Sequence, residues 1–250
     1  MYTQHSNNLI ISADDFGVSE IANRNILALA REKKIDRTGV MIGGHISPQE
    51  AQELLATGIK IDIHLHLLEK DFFAKREKEA GQGVVRRGIL FLIDVTSGRF
   101  SSAKVKLIWK KQIEDFHALF GKYPDGLNSH EHMHFFPPFF RVAMTLKEKF
   151  GISFMRLGKW EYKTGLKLTL VAFLLNTLRR IDARLNHIFV TPPHIAKDVP
   201  YVLNTSDFLV SFDWIKDTDK FFENLPDPGQ TELVFHPERP EEFAFLKNNF

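Results

Sequence analysis

The sequence contains no cysteine among its 250 residues. This absence excludes disulfide bonds and thiolate chemistry, and it leaves histidine, aspartate and glutamate as the side chains that can bind a metal ion. The sequence also lacks a strong excess of positive or negative charge, since its net charge is only +2. Nucleic-acid-binding proteins usually carry a strong basic surface, so we expect no nucleic-acid partner.

A secretory signal is also missing, because the polar residues from Met1 to Ser6 lead directly into a strand-like segment without an apolar h-region. We therefore expect a cytoplasmic protein. Hydrophobic residues, by contrast, are plentiful at 44%, with 23 Phe, which is enough for a large core. One α/β barrel commonly needs a chain of this length, so we predict a single domain over residues 1–250.

Strand-like and helix-like segments alternate along the chain. The predicted strands are 9–12, 38–43, 59–67, 124–129, 152–156, 188–190 and 232–235, and the predicted helices are 19–34, 47–58, 105–120, 137–151 and 166–185. The clearest helix start is Ser47, followed by Pro48 and Glu50 in capping-box form, with Gly58 at the end. Such repeated units form either a doubly wound sheet or a barrel, and both place their chemistry at the carboxyl ends of the strands.

Polar side chains follow or line two of the early strands. Asp14 and Asp15 come directly after the first, where one acid can bind a metal while its neighbour takes a proton. Alternatively, one caps the next helix and the other is solvated. The strict alternation of residues 59–67 places Asp62, His64 and His66 on one strand face. These histidines are either metal ligands or hydrogen-bonded members of a polar barrel interior.

Further histidines follow later strands. His130, His132 and His134 stand at alternate positions, and three imidazoles on one side repel each other when protonated. Metal binding or proton transfer explains them better than a purely structural role does. His236 precedes Pro237 at the end of the last predicted strand. The sequence thus predicts a polar cavity at the carboxyl end of the sheet.

Together these segments resemble a known family. The Ala-Asp-Asp-Phe-Gly run after the first strand, the aliphatic-His-Leu strand, Ser-His-x-His-x-His and the late Glu-Leu-x-x-His-Pro are similar to the YdjC-like (ChbG/HpnK-like) carbohydrate deacetylases, over nearly the whole chain. The resemblance implies a distorted (β/α) TIM-like barrel related to that of polysaccharide deacetylases. It also implies metal-dependent hydrolysis of the N-acetyl group of an amino sugar, either an oligosaccharide or a glycolipid.

Position by position, the resemblance assigns individual roles. It implies that Asp15, His64 and His130 bind one divalent metal ion, for which Mg²⁺ and Zn²⁺ stand ahead of Mn²⁺ and Fe²⁺. Such a three-ligand set leaves coordination positions open, as catalytic sites do. Asp14 corresponds to the family's base and His236 to its acid, which protonates the departing amine.

Four more residues are expected to contact the substrate or to support the ligands and the base, namely Arg156, His132, His134 and His66. Two positions depart from the family pattern. Asn128 stands where the family usually has aspartate, so an acceptor that supports the ligands loses its charge, and we expect the metal affinity or the orientation of His130 to differ. His66 replaces a small hydroxyl residue and could be an extra ligand, a substrate contact or a spectator.

Two other functions remain open at this point. The Asp62-Ile63-His64-Leu65-His66 strand also resembles that of amidohydrolase or phosphoesterase barrels, which would favour a two-metal centre. Alternatively, the chain is a non-catalytic sugar-binding protein on the deacetylase fold. The presence of both acid/base residues and all the ligands argues against the second alternative.

The predicted helix 166–185 has more apolar residues than a single stripe requires. One buried face is predicted to contain Leu170, Leu174, Leu178, Ile181 and Leu185, which leaves Leu168, Val171, Phe173 and Leu175 to be covered otherwise. The apolar stretch is far shorter than the roughly 20 residues that cross a bilayer. We expect these remaining apolar residues to be covered by the barrel itself, by a homodimer interface, or by a membrane surface that the protein contacts peripherally. In the last case Arg179, Arg180 and Arg184 would face anionic headgroups.

Overall fold

The computed structural model describes residues 8–67, 100–159, 165–166, 170–185 and 203–250. Within these ranges the strands are β1 Leu9–Phe16, β2 Arg37–Val40, β3 Lys60–Leu65, β4 Gly126–Ser129, β5 Phe154–Met155, β6 Phe208–Ser211 and β7 Thr231–Phe235. They form a seven-stranded sheet in the order β5-β4-β3-β2-β1-β7-β6, and every neighbouring pair is parallel. The carboxyl ends of the strands therefore all lie at the same rim of the sheet.

The sheet curls until its two edges meet. Beside β5, the Met155 amide donates to the Asn204 carbonyl at 3.0 Å, and beside β6 the Leu209 amide donates to the Lys159 carbonyl at 2.9 Å. A doubly wound sheet would stay open at these edges. The predicted distorted barrel is thus confirmed.

The described helices are α1 Glu20–Arg31, α2 Pro48–Thr57, α3 Ser102–Phe120, α4 Pro137–Lys149, α5 Leu170–Leu185, α6 Thr218–Glu223 and α7 Pro240–Asn249. The predicted capping box is present in α2, where the Ser47 hydroxyl accepts from the Glu50 amide at 3.2 Å and the Glu50 carboxylate accepts from the Ser47 amide at 2.8 Å. Gly58 ends this helix at φ 72°, a conformation that glycine adopts without steric cost.

Helices lie on the outside of the sheet, and α3 buries its apolar face against β3. Trp109, Ile113 and Phe116 of α3 are fully buried in the main core, as their helical spacing predicts. Polar groups are nevertheless buried inside the barrel. There the guanidinium of Arg37 donates to both carboxylate oxygens of Asp62 at 2.7 and 2.8 Å, so Asp62 is a structural ion-pair partner.

Several elements differ from the sequence predictions. The strand β6 and the helices α6 and α7 were not predicted, since β6 is a four-residue apolar run and α6 has only six residues. The helix predicted to start at residue 166 starts later, because Leu166 forms an isolated bridge with Ile215. The predicted strand 188–190 lies outside the described residues.

The prediction for the buried face of α5 was wrong at two positions. Leu174 is 50% exposed and Ile181 is 38% exposed, beside Phe173 at 68%. Leu178 does pack against the core. The helix contacts α4 and the turn after β4. Phe173, Leu174 and Ile181 lie at the surface. None of the described helices combines the length and apolar character that crossing a bilayer requires.

Candidate active site

A bulge in β1 directs two adjacent acids toward one place. The register between β1 and β2 shifts between Ala13 and Phe16, and Asp15 has a positive φ of 75°. In a regular strand, neighbouring side chains point to opposite faces, whereas a bulge re-aims one of them. Both carboxylates consequently flank His64, with Asp15 Oδ1 3.4 Å from its Nε2 and Asp14 Oδ2 3.8 Å from its Nδ1.

Asp15, His64 and His130 come together as a set of ligand atoms that all lie within 4.8 Å of one another. The imidazole nitrogens nearest to Asp15 Oδ1 are His64 Nε2 at 3.4 Å and His130 Nδ1 at 3.5 Å. One carboxylate oxygen and two imidazole nitrogens form a donor set that divalent metal ions accept. Asp15 and His64 are buried, while the side chain of His130 is 18% exposed and leaves one side of the set open. The residues therefore fit a divalent metal ion.

The local backbone after β4 explains how His130 reaches this set. It opens a 3₁₀ turn, His130–Phe135, inside which Glu131 and His132 both have positive φ values, 52° and 55°. Residues other than glycine seldom adopt this conformation, and it costs free energy that the surrounding structure must offset. Such strain is concentrated at functional sites, and Asp15 shows it as well.

The site favours ionised acids beside neutral histidine. Burial by itself raises the pKa of Asp15, but the hydrogen bond and charge of His130 outweigh it and hold that pKa well below its usual value. Burial lowers the pKa of His64, and the charges of Asp14 and Asp15 compensate only in part. An ionised carboxylate and a neutral imidazole are the forms that bind metal ions.

Arg156 fixes the second acid. Its guanidinium donates to Asp14 Oδ2 at 2.6 Å and to Asp14 Oδ1 at 3.0 Å, and also to Glu232 Oε1 at 2.8 Å. Burial raises the pKa of Asp14, but the charge of Arg156 overcomes this effect and lowers that pKa far below its ordinary value. Glu232 is fully buried and also accepts from the Ser12 hydroxyl at 2.7 Å. The sequence left open whether Arg156 contacts the substrate or supports the base, and in the structure it binds Asp14.

Two of the expected histidines serve as buried supports in this structure. His66 Nε2 lies 2.8 Å from the Ile42 carbonyl oxygen, and burial lowers its pKa to about 4. His134 Nε2 lies 2.7 Å from the Arg156 carbonyl oxygen, while its Nδ1 lies 2.7 Å from the Ser129 hydroxyl. Both nitrogens of His134 are thus engaged with the protein. Burial lowers its pKa to about 3.

His132 lies beside an aromatic residue that was not predicted from the sequence. Its ring centroid is 6.3 Å from that of Trp214, which belongs to the short turn Phe212–Trp214 after β6. Burial lowers the pKa of His132 well below its usual value, so this imidazole is neutral. The only sequence signal for Trp214 was an aromatic cluster after a short apolar run. Trp214 is partly buried against the core and lies at the same rim of the barrel.

His236 follows β7 and has an acidic neighbour, Glu242 of α7. The Glu242 carboxylate accepts from the His236 amide at 2.6 Å and lies 3.8 Å from the ring nitrogen Nδ1. Burial lowers the pKa of His236, but Glu242 and the charges of Asp15 and Asp14 reverse this effect and raise it. Glu242, which is itself buried, was not predicted from the sequence.

Comparisons with known proteins agree on one family. The sequence profile of the YdjC-like proteins matches residues 8–248. A chitooligosaccharide deacetylase of Escherichia fergusonii is 26% identical over 146 residues, which cover 58% of this chain and 57% of that protein. A carbohydrate deacetylase of Danio rerio is 25% identical over 182 residues, covering 70% of this chain and 56% of that protein. The matches thus span little more than half the length of these relatives.

A solved structure shares the fold. A candidate cellobiose-phosphate cleavage protein from Enterococcus faecalis superposes with a TM-score of 0.56 at 17% sequence identity, over 91% of this chain and 80% of that one. At this identity the likeness concerns the fold alone. It agrees with the curled parallel sheet described above.

Proposed function

Because the chain belongs to the YdjC-like protein family, we propose that it is a metal-dependent deacetylase that hydrolyses the N-acetyl group of an amino sugar and releases acetate. Its relatives include proteins named chitooligosaccharide deacetylase and carbohydrate deacetylase. The observation that carries the proposal is the convergence of Asp15, His64 and His130 within 4.8 Å, with Asp14 on the other side of His64.

The proposed mechanism begins with the attack of water on the acetyl carbonyl. A divalent cation held by Asp15, His64 and His130 supplies Lewis acidity to this reaction when it is bound. Asp14 takes the proton of the attacking water, and the two hydrogen bonds from Arg156 hold its carboxylate in one orientation. Since its pKa is depressed, Asp14 is ionised at neutral pH, which is the form that a base must have.

His236 completes the reaction in this proposal. An amine anion is a very poor leaving group, so the amide nitrogen must be protonated as the bond breaks. The raised pKa of His236 increases the fraction of protonated imidazole near neutral pH. Glu242 stabilises this charged form from 3.8 Å. His236 is therefore suited to be the acid, and a positioned acid typically contributes about 10² to 10⁴ in rate.

The substrate is proposed to be an N-acetylated sugar, bound at the rim where Trp214 and His132 lie. Aromatic side chains pack well against partly apolar surfaces while their polar edges stay hydrated. The exposed residues Phe173, Leu174 and Ile181 of α5 are compatible with two forms of this sugar. If these residues contact a membrane, the substrate is a lipid-linked sugar. If a second copy of the chain covers them, the substrate is a soluble oligosaccharide.

The experiment that tests the function measures acetate release from N-acetylglucosamine oligomers and from an N-acetylated glycolipid, with added Mg²⁺ or Zn²⁺ and after chelation. We expect metal-dependent release that is lost in Asp15→Asn. Metal-independent release, or no release from any acetylated sugar, contradicts the proposal. Two further measurements test the alternative functions. Two metal ions per chain would favour an amidohydrolase or phosphoesterase, and sugar binding without turnover would favour a non-catalytic binding protein.

A further inference from the structure

Asn128 lies between a proposed metal ligand and a buried guanidinium. It is fully buried in β4 and is the register partner of His64 in β3. One atom of its side-chain amide lies 2.5 Å from His64 Nδ1. The other faces the Arg156 guanidinium, at 3.3 Å from Nη1 and 3.1 Å from Nη2.

The amide can satisfy only one of these neighbours with its oxygen, because an amide has one acceptor and one donor group. If the oxygen faces His64, the amide NH₂ meets the donors of Arg156. If the amide is rotated, its oxygen accepts from Arg156 and its NH₂ donates to the Ile63 carbonyl at 3.3 Å and to His64 Nδ1. The rotated orientation makes every hydrogen bond, and an unpaired buried polar group is costly. The rotated orientation is therefore favoured.

The orientation of Asn128 determines which nitrogen of His64 carries the proton. A neutral imidazole has one proton, so an Nδ1 that accepts from Asn128 leaves the proton on Nε2. Nε2 is the nitrogen that faces Asp15 Oδ1 at 3.4 Å. A metal ligand nitrogen must be free of its proton. The favoured orientation therefore protonates the nitrogen that the metal needs.

We propose that Asn128 is a positioning residue that holds His64 in the tautomer unable to bind the metal, so that metal uptake requires the amide to rotate and the proton to move to Nδ1. The proposal rests on the metal site of the proposed function. In the metal-loaded form, Asn128 gives up its bonds to Arg156 and Ile63. The metal site of this chain is accordingly weaker than its three ligands alone would make it.

An aspartate at this position would remove the conflict. Its two oxygens accept from His64 Nδ1 and from Arg156 at the same time, with nearly the same shape as asparagine. Groups that orient a ligand histidine typically change metal affinity by about 10- to 100-fold. We therefore expect Asn128→Asp to bind Zn²⁺ at least about tenfold more tightly than the parent chain.

The test combines calorimetric titration of Zn²⁺ alone with the ¹⁵N spectrum of His64 in the metal-free protein, assigned by its loss in His64→Gln. The parent chain should show His64 protonated at Nε2, and Asn128→Asp should show it protonated at Nδ1. Asn224→Asp, the same change at the exposed end of α6, is the control and should leave both readouts unchanged. The tautomer readout also separates positioning from a simple gain of negative charge.

Two results would overturn this inference and leave the metal site standing. One is an equal Zn²⁺ affinity of the parent chain and Asn128→Asp, and the other is Nδ1 protonation of His64 already in the parent chain. If neither protein binds Zn²⁺ or Mg²⁺, the proposed metal site fails and this inference fails with it. Should Asn128→Asp not fold, the spectrum of the parent chain alone still tests the tautomer.

Discussion

Replacing Arg156 with methionine tests how the barrel holds its buried acids. The guanidinium is 1% exposed and donates to Asp14 and to Glu232, which are themselves 3% and 0% exposed. Arg156→Met keeps much of the side-chain volume but leaves both carboxylates without their cation. Leaving a buried charge uncompensated typically costs about 3–5 kcal/mol of the free energy of unfolding. We expect a loss in this range at pH 7.5, measured by urea unfolding.

The loss should depend on pH in a defined direction. In the parent chain the folded-state pKa of Asp14 lies below its ordinary value of 3.8, so its contribution to stability is present above that pH and disappears as the pH falls further. Without Arg156, burial raises this pKa above the unfolded value. The variant is therefore penalised most at neutral pH, and the difference from the parent chain should shrink between pH 7.5 and pH 4.5.

Two controls sharpen this prediction. Arg156→Met combined with Glu232→Gln should recover part of the loss, because a neutral amide needs no counter-charge. Arg31→Met removes an exposed ion pair with Glu53 and should cost at most about 1 kcal/mol. An Arg156→Met variant that loses no more than Arg31→Met, or whose loss is independent of pH, would refute the reasoning.

Further predictions concern the chemistry and the surface. Asp14→Asn should abolish turnover while calorimetry still detects metal binding, whereas Asp15→Asn should weaken the metal at least about tenfold, and equal metal loss in both would contradict their separate roles. His236→Gln should slow N-deacetylation much more than hydrolysis of an activated ester, whose leaving group needs no proton; equal losses would leave His236 only a positioning role. Glu242→Gln should lower the pKa of His236, so the alkaline limb of the pH–rate profile should move to lower pH, and an unmoved limb would exclude this coupling. Phe173→Ser should reduce salt-sensitive sedimentation with anionic liposomes if α5 contacts membranes, and a parent chain that ignores liposomes would favour a dimer interface.

Local patterns predicted the elements that position the site. The alternation of residues 59–67 predicted a strand with His64 pointing into a polar interior, and the capping box predicted the start of α2 at Ser47. The order of strand ends brought Asp15 and His130 into one cluster of ligand atoms. These features depend on short-range periodicity and capping, which a single sequence displays directly.

Features that depend on distant partners could not be predicted in this way. The bulge at Asp15 follows from its pairing with β2, and nothing in the local sequence marks it. Glu242 lies within a helix that was not predicted, yet it contacts His236 through the tertiary fold. The apolar spacing of α5 allowed more than one buried face, and only the position of its neighbours exposes Leu174 and Ile181.

The seam between β5 and β6 also bears on how the protein behaves in a crowded solution. The edge of an open parallel sheet presents unpaired amide and carbonyl groups, which template strand addition from other chains and so promote aggregation. Here Met155 and Leu209 use such groups within the chain itself, through bonds to Asn204 and Lys159. β5 is only two residues long, so few backbone groups remain there for a foreign strand. Closing the barrel thus protects the chain against edge-to-edge association at the same time as it positions the residues of the candidate site.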